Sequence, residues 1–191
     1  DADLDKAAQI VAAGGFGLTG QACTATSRVI VERPVLAAFT ERLVATARAL
    51  KVGPGLAAGV QMGPAVSKGQ RQTDLDYIEI ARGEGAEVLA GGGAPEGGDL
   101  ARGYFVQPTV LANVRPDMRI AQEEVFGPVI GLIAADGLDE AFAIANNSSY
   151  GLSAGIVTTD LRRAIRFAER AEAGMVKVNQ TTVGASIQAP F

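Results

Sequence analysis

The sequence predicts an α/β fold, a mostly parallel sheet with helices on both faces. Stretches with apolar residues at helical spacing alternate with short β-branched runs along the whole chain. One run, inside "VFGPVIGLIAA" (125–135), is almost continuously apolar, the pattern of a strand buried on both faces. The 24 glycines and 8 prolines among 191 residues supply the turns that such alternation needs.

The first helix is expected over 3–14, where Leu4, Ala7, Ala8 and Val11 share a face, Asp3 can cap the start and Gly14 lies near the end. "GLTGQACTATSR" (17–28) is turn material leading into a strand, "RVIVE" (28–32). Pro34 then opens a helix whose apolar stripe runs through Leu36, Phe39, Leu43, Ala47 and Leu50 to the "VGPG" breaker at 52–55. A loop rich in glycine and proline continues to Pro64. The next helix spans 67–83, with Ser67 as its cap and Leu75, Ile78 and Ala81 on one face. "EVLAGG" (87–92) reads as strand and turn, and "GGGAPEGGDLARG" (91–103) as a flexible surface loop.

The second half repeats the alternation. "YFVQPTVLANV" (104–114) is extended, the apolar strand follows within 125–135, and "LDEAFAIANN" (138–147) is a helix. "LSAGIVTT" (152–159) is a strand, Asp160 caps a helix over 161–174 that Gly174 stops, and "MVKVN" (175–179) is the last strand. No internal repeat interrupts this order, so a single domain is expected.

Composition removes whole classes of function. A net charge of −4 and a pI near 4.9 exclude nucleic acid and an anionic membrane as the main partner, since either wants a basic patch. No apolar run approaches the roughly 18 residues that span a bilayer, and the acidic opening "DADLDKAAQ" is not a signal peptide. A single cysteine cannot form an intrachain disulfide, which points to a cytoplasmic protein. Without histidine and with scattered carboxylates, no transition-metal site is expected. "GGGAPEGG" lacks the lysine of a phosphate cradle. Both ends read as cut: helix begins at once, and "SIQAPF" stops on an apolar residue after a proline.

Two stretches can carry chemistry. Cys23 sits among Gly20, Ala22, Thr24 and Ala25, small neighbours that let a substrate approach and leave backbone N–H groups free for an oxyanion. With no histidine in the chain, a thiolate there depends on backbone donors, a nearby cation or cofactor, or a carboxylate brought from elsewhere. The plain alternative is a small hydrophobe buried under a turn. In "EEVFGPV" (123–129), two adjacent acids precede the apolar strand. One of them suits bidentate hydrogen bonding to a ribose diol or an amine; the plain alternative is a solvated strand start.

Taken in order, "GGFGLTGQACTATSRVIVE", "GPAVSKGQ", "GYFVQPTVL", "IAQEEVFGPVIGL", "ANNSSYGLSAGIVTTDLRRA", "AGMVKVNQTT" and the terminal "APF" resemble the aldehyde dehydrogenase superfamily, over almost the whole chain. Through "VQMGPAVSKGQ" and "VNQTTVGASIQAPF", the chain is most similar to the branch acting on 2-oxoglutarate semialdehyde and related acid-bearing aldehydes.

The resemblance implies roles. Cys23 matches the cysteine that attacks the aldehyde, giving a thiohemiacetal and then, after hydride transfer to NAD or NADP, a thioester that water hydrolyses; its own N–H is half of the oxyanion hole. Glu124 matches the contact to the nicotinamide-side ribose, and Phe126 the residue packed near the nicotinamide end. Thr24 is expected to line the aldehyde pocket. Family members carry a dinucleotide-binding domain before the first residue here, with an oxyanion-hole asparagine and an "ELGG"-type general-base glutamate. They continue beyond "APF" into a strand that joins a neighbouring subunit. The resemblance therefore implies that residues 1–191 are a catalytic domain truncated at both ends, part of a homo-oligomer (dimer or tetramer) in the full-length enzyme. Two other readings stay open at this point: an acylating relative that passes the thioester to coenzyme A, and a non-catalytic assembly or redox-thiol domain.

Overall fold

The computed structural model describes residues 1–185 and 188; the terminal "APF" (189–191) lies outside them. Its centre is the apolar strand β4 (Val129–Ala135), buried along almost its whole length. β4 pairs in parallel with β1 (Arg28–Glu32) on one side and with β3 (Thr109–Ala112) on the other. β2 (Glu87–Ala90) closes the far edge antiparallel to β3, giving the order β1-β4-β3-β2. β5 (Ser153–Ile156) and β6 (Met175–Val178) form a separate parallel pair.

Alternate residues of β4 feed two cores, as side chains on opposite faces of a strand must. Ile130 and Leu132 join α1 (Leu4–Phe16) and α2 (Arg33–Ala49), including Phe16, Phe39 and Leu43. Val129 and Ile133 join α3 (Lys68–Gly83), the short α4 (Arg119–Gln122) and α5 (Leu138–Asn146) through Ile78, Ala121 and Ile144. Helices thus cover both faces of a mostly parallel sheet. α6 (Leu161–Arg170) packs beside β6. No helix among the described residues is long and apolar enough to cross a membrane.

The expected caps form: Asp3 accepts from the Asp5 and Lys6 amides, Ser67 from Gln70, and Asp160 from Arg162 and Arg163. Three details differ from the sequence expectation. α1 runs past the expected 14 to Phe16; a Cβ on Gly15 would meet Ile130 at 2.5 Å, so this glycine lets the helix lie close on the sheet. α6 stops at Arg170 rather than at Gly174. Asn146, at the end of α5, donates to the Arg170 carbonyl at 2.9 Å and accepts the Glu172 amide at 3.1 Å, while Gly174 already donates to Gly151 at the start of the β5–β6 pair. Distant partners outcompete the last helical turn. The single sheet implied by steady alternation is also divided, with β5 and β6 pairing only with each other.

Candidate active site

Parallel pairing of β1 with β4 decides where the chemistry-bearing segments meet. In that ladder Arg28 stands opposite Gly131, and Cys23 and Phe126 each lie five residues earlier on their own strand. The turns entering the two strands therefore emerge side by side. They touch backbone to backbone: a Cβ on Gly20 would overlap the Gly127 carbonyl oxygen, and Gly20 holds φ +69°, a conformation glycine adopts freely.

Cys23 is exposed, at the centre of a turn closed by the Ala25 amide donating to Ala22 at 2.9 Å. The Cys23 N–H donates to no described residue, which leaves it for a ligand. The turn is anchored from behind. Leu18 and Thr19 are left-handed (φ +53° and +61°), the Thr19 hydroxyl donates to Gly63, and the Gln21 side chain accepts the Val66 amide at 2.7 Å while donating to Pro64. Thr26 and Thr182 share a hydrogen bond of 2.8 Å that ties the turn to the segment after β6. Arg28, half-buried, donates to the Ile144 and Ala145 carbonyls at 3.1 and 3.0 Å; burial lowers its pKa. Thr24, beside Cys23, is only 9% exposed.

The two acids before β4 are separated by their partners. Glu123 receives two hydrogen bonds of 2.8 Å from the Arg119 guanidinium and one from the Tyr77 hydroxyl. Those donors, Arg119 first, hold its carboxyl down at about 2. The same contact raises the pKa of Arg119, whose guanidinium lies 5.4 Å from the centre of the Tyr77 ring. Glu124 is exposed and bonds to no described residue. Phe126 holds φ +62°, a strained conformation for a bulky residue, and keeps 38% of its surface exposed.

Cys23, Glu124 and Phe126 all line one cleft of about 580 Å³, between the main sheet and the β5–β6 pair. The cleft combines an exposed thiol, the free N–H of Cys23, a carboxylate unpaired among the described residues and an aromatic face. That set fits covalent chemistry on a carbonyl beside a ligand that carries a diol and a flat ring. Among the described residues, no three His, Cys, Asp or Glu side chains gather as a metal site.

One buried group behind the cleft escaped the sequence reading. Asp74 of α3 has no solvent exposure, and its carboxyl fills the space where a side chain of Gly127 would be. Burial pushes its pKa up to about 6, against the pull of the hydrogen bond from Gln70. Asp74 lies in helical register with Ile78 and Ala81, so a charged residue on the apolar stripe was the signal.

All of residues 1–191 match a family model described as "Aldehyde dehydrogenase family". An alpha-ketoglutarate semialdehyde dehydrogenase of Haloferax volcanii is 53% identical over 186 residues, 97% of this chain and 38% of that protein. The alpha-ketoglutaric semialdehyde dehydrogenase of Bacillus subtilis is 46% identical over 191 residues, 100% of this chain and 39% of its own length. A crystal structure of betaine aldehyde dehydrogenase from Staphylococcus aureus in complex with NAD+ superposes with a TM-score of 0.97 at 36% identity, covering 100% of this chain and 38% of that one. The chain thus spans less than two fifths of the length of the relatives it matches.

Proposed function

Because the chain belongs to the aldehyde dehydrogenase family, we propose that it is the catalytic domain of a longer NAD(P)+-dependent enzyme that oxidises a small, carboxylate-bearing aldehyde to the acid. The observation that carries this reading is the meeting of Cys23 with Glu124 and Phe126 in one cleft, held together by the Gly20–Gly127 contact. The relatives from Haloferax volcanii and Bacillus subtilis support the substrate class by their names.

Cys23 Sγ attacks the aldehyde carbon, and the oxygen that gains charge is met by the free Cys23 N–H. The resulting thiohemiacetal loses hydride and becomes a thioester on Cys23, which water cleaves to the acid. NAD or NADP supplies the hydride acceptor when bound. When the cofactor is bound, Glu124, unpaired among the described residues and open to the cleft, would accept hydrogen bonds from its ribose diol, and the exposed face of Phe126 would pack against the nicotinamide end. A second oxyanion donor, the general base and most of the cofactor site belong to the remainder of the protein. The reading also implies a cytoplasmic homo-oligomer.

The test is aldehyde-dependent NADH or NADPH formation by the full-length protein, with 2-oxoglutarate semialdehyde as substrate. Cys23→Ala should abolish it. Turnover that survives this substitution refutes the proposal.

A further inference from the structure

Asp74 stands out as a buried carboxyl that the proposed chemistry leaves unused. Its Oδ1 accepts from Gln70 Nε2 at 2.7 Å, and the same nitrogen donates to the Val125 carbonyl at 2.9 Å. Its Oδ2 is buried without a partner. The carboxyl presses on the Cα of Gly127, and the carbonyl of Gly127 presses in turn on Gly20. α3, the 123–127 turn and the Cys23 segment thus form a three-layer stack, with Asp74 as its floor.

We propose that Asp74 is a positioning residue: by filling the space beneath Gly127, it sets the seat of the turn that carries Glu124 and Phe126 against the loop that carries Cys23. The inference rests on the function proposed above for those residues. Close packing explains why one side chain can do this, since a gap behind a backbone that has no side chain of its own lets it settle inward. Misplacement of about 1 Å at a reacting site can cost two orders of magnitude in rate.

Charge makes the seat sensitive to pH. On the elements packed here, the charged groups besides Asp74 are Lys68, Arg71, Asp76, Glu79 and Arg82 on α3, Glu123 and Glu124 on the turn, and Arg119 on α4; the Gly17–Gly20 turn has none. Arg119 is taken by Glu123, and none of these groups bonds to Asp74. With its pKa raised to about 6, Asp74 is neutral below that pH and an uncompensated buried anion above it. The floor is therefore best formed at the acid side.

The test uses the full-length protein, NAD+ titrations by calorimetry, and hydrogen–deuterium exchange of peptides covering 17–23 and 123–128. Asp74→Ala should weaken NAD+ binding about tenfold and speed exchange in both peptides. Asp74→Asn, which keeps the shape and the bond from Gln70, should restore both. Wild-type affinity should fall as pH rises through about 6, and that of Asp74→Asn should not. Wild-type affinity and exchange in Asp74→Ala, or an Asp74→Asn protein that fails as Asp74→Ala does, overturns the proposal. If Asp74→Ala does not fold, the pH profiles decide: identical profiles for wild type and Asp74→Asn overturn it. Should the Cys23→Ala test above fail while these changes appear, the function is wrong and the seat stands.

Discussion

Gly20 and Gly127 meet with no room for a side chain on the first: a Cβ on Gly20 would overlap the Gly127 carbonyl oxygen, although the residues lie far apart in sequence. The contact joins the segment of Cys23 to that of Glu124 and Phe126. Gly20→Ala must relieve both this overlap and a φ of +69°. It should lower stability by about 1–3 kcal/mol, read from urea unfolding. Stability equal to wild type would mean that the two turns separate easily.

Glu123 and Glu124 should respond differently to the same change. Glu124→Gln should weaken NAD+ binding and leave the unfolding midpoint in place, because the side chain has no partner among the described residues. Glu123→Gln should lower the unfolding midpoint, since Arg119 and Tyr77 lose a charged acceptor. Calorimetry and thermal unfolding of both variants check this, and the opposite assignment would exchange their roles.

The depressed carboxyl of Glu123 has a signed consequence. Its contribution to stability is fully present above the ordinary value of 4.5 and is lost as pH falls toward about 2. Urea midpoints between pH 5 and 2 should fall less steeply in Glu123→Gln than in wild type.

Asp74 has the opposite sign. Its contribution is fully present below the ordinary value of 3.8 and is lost as pH rises through about 6, a shift worth roughly 3 kcal/mol. Asp74→Asn should therefore gain on wild type as pH goes from 4 to 7. A difference that does not change with pH would show the carboxyl to be solvated.

Cys23 should be alkylated by iodoacetamide in the folded protein, as its exposure in an open turn requires. Residues 1–191 alone should form no NADH from aldehyde above a Cys23→Ala control, because loss of even one oxyanion donor costs on the order of 10²–10³ in rate. A strong Cys23-dependent signal from this chain would contradict the proposed division of the site.

Most elements were legible in the residues because their signals are local. Asp3, Ser67 and Asp160 act within a turn of where they stand, and the stripe of Phe39, Leu43 and Ala47 needs only helical geometry. β1 falls at 28–32 as the β-branched run predicts. The sequence by itself also determined the family resemblance, with Cys23, Glu124 and Phe126 in its motifs. Only the tertiary structure decided which of two adjacent acids is free, since Arg119 and Tyr77 reach Glu123 from other elements. It also decided where α6 ends, through Asn146, and what lies beneath Gly127. Each of these depends on the pairing of β1 with β4 or on helices packed across the sheet. Such contacts join residues whose separation along the chain leaves no periodic trace, so they become definite only when the chain has folded.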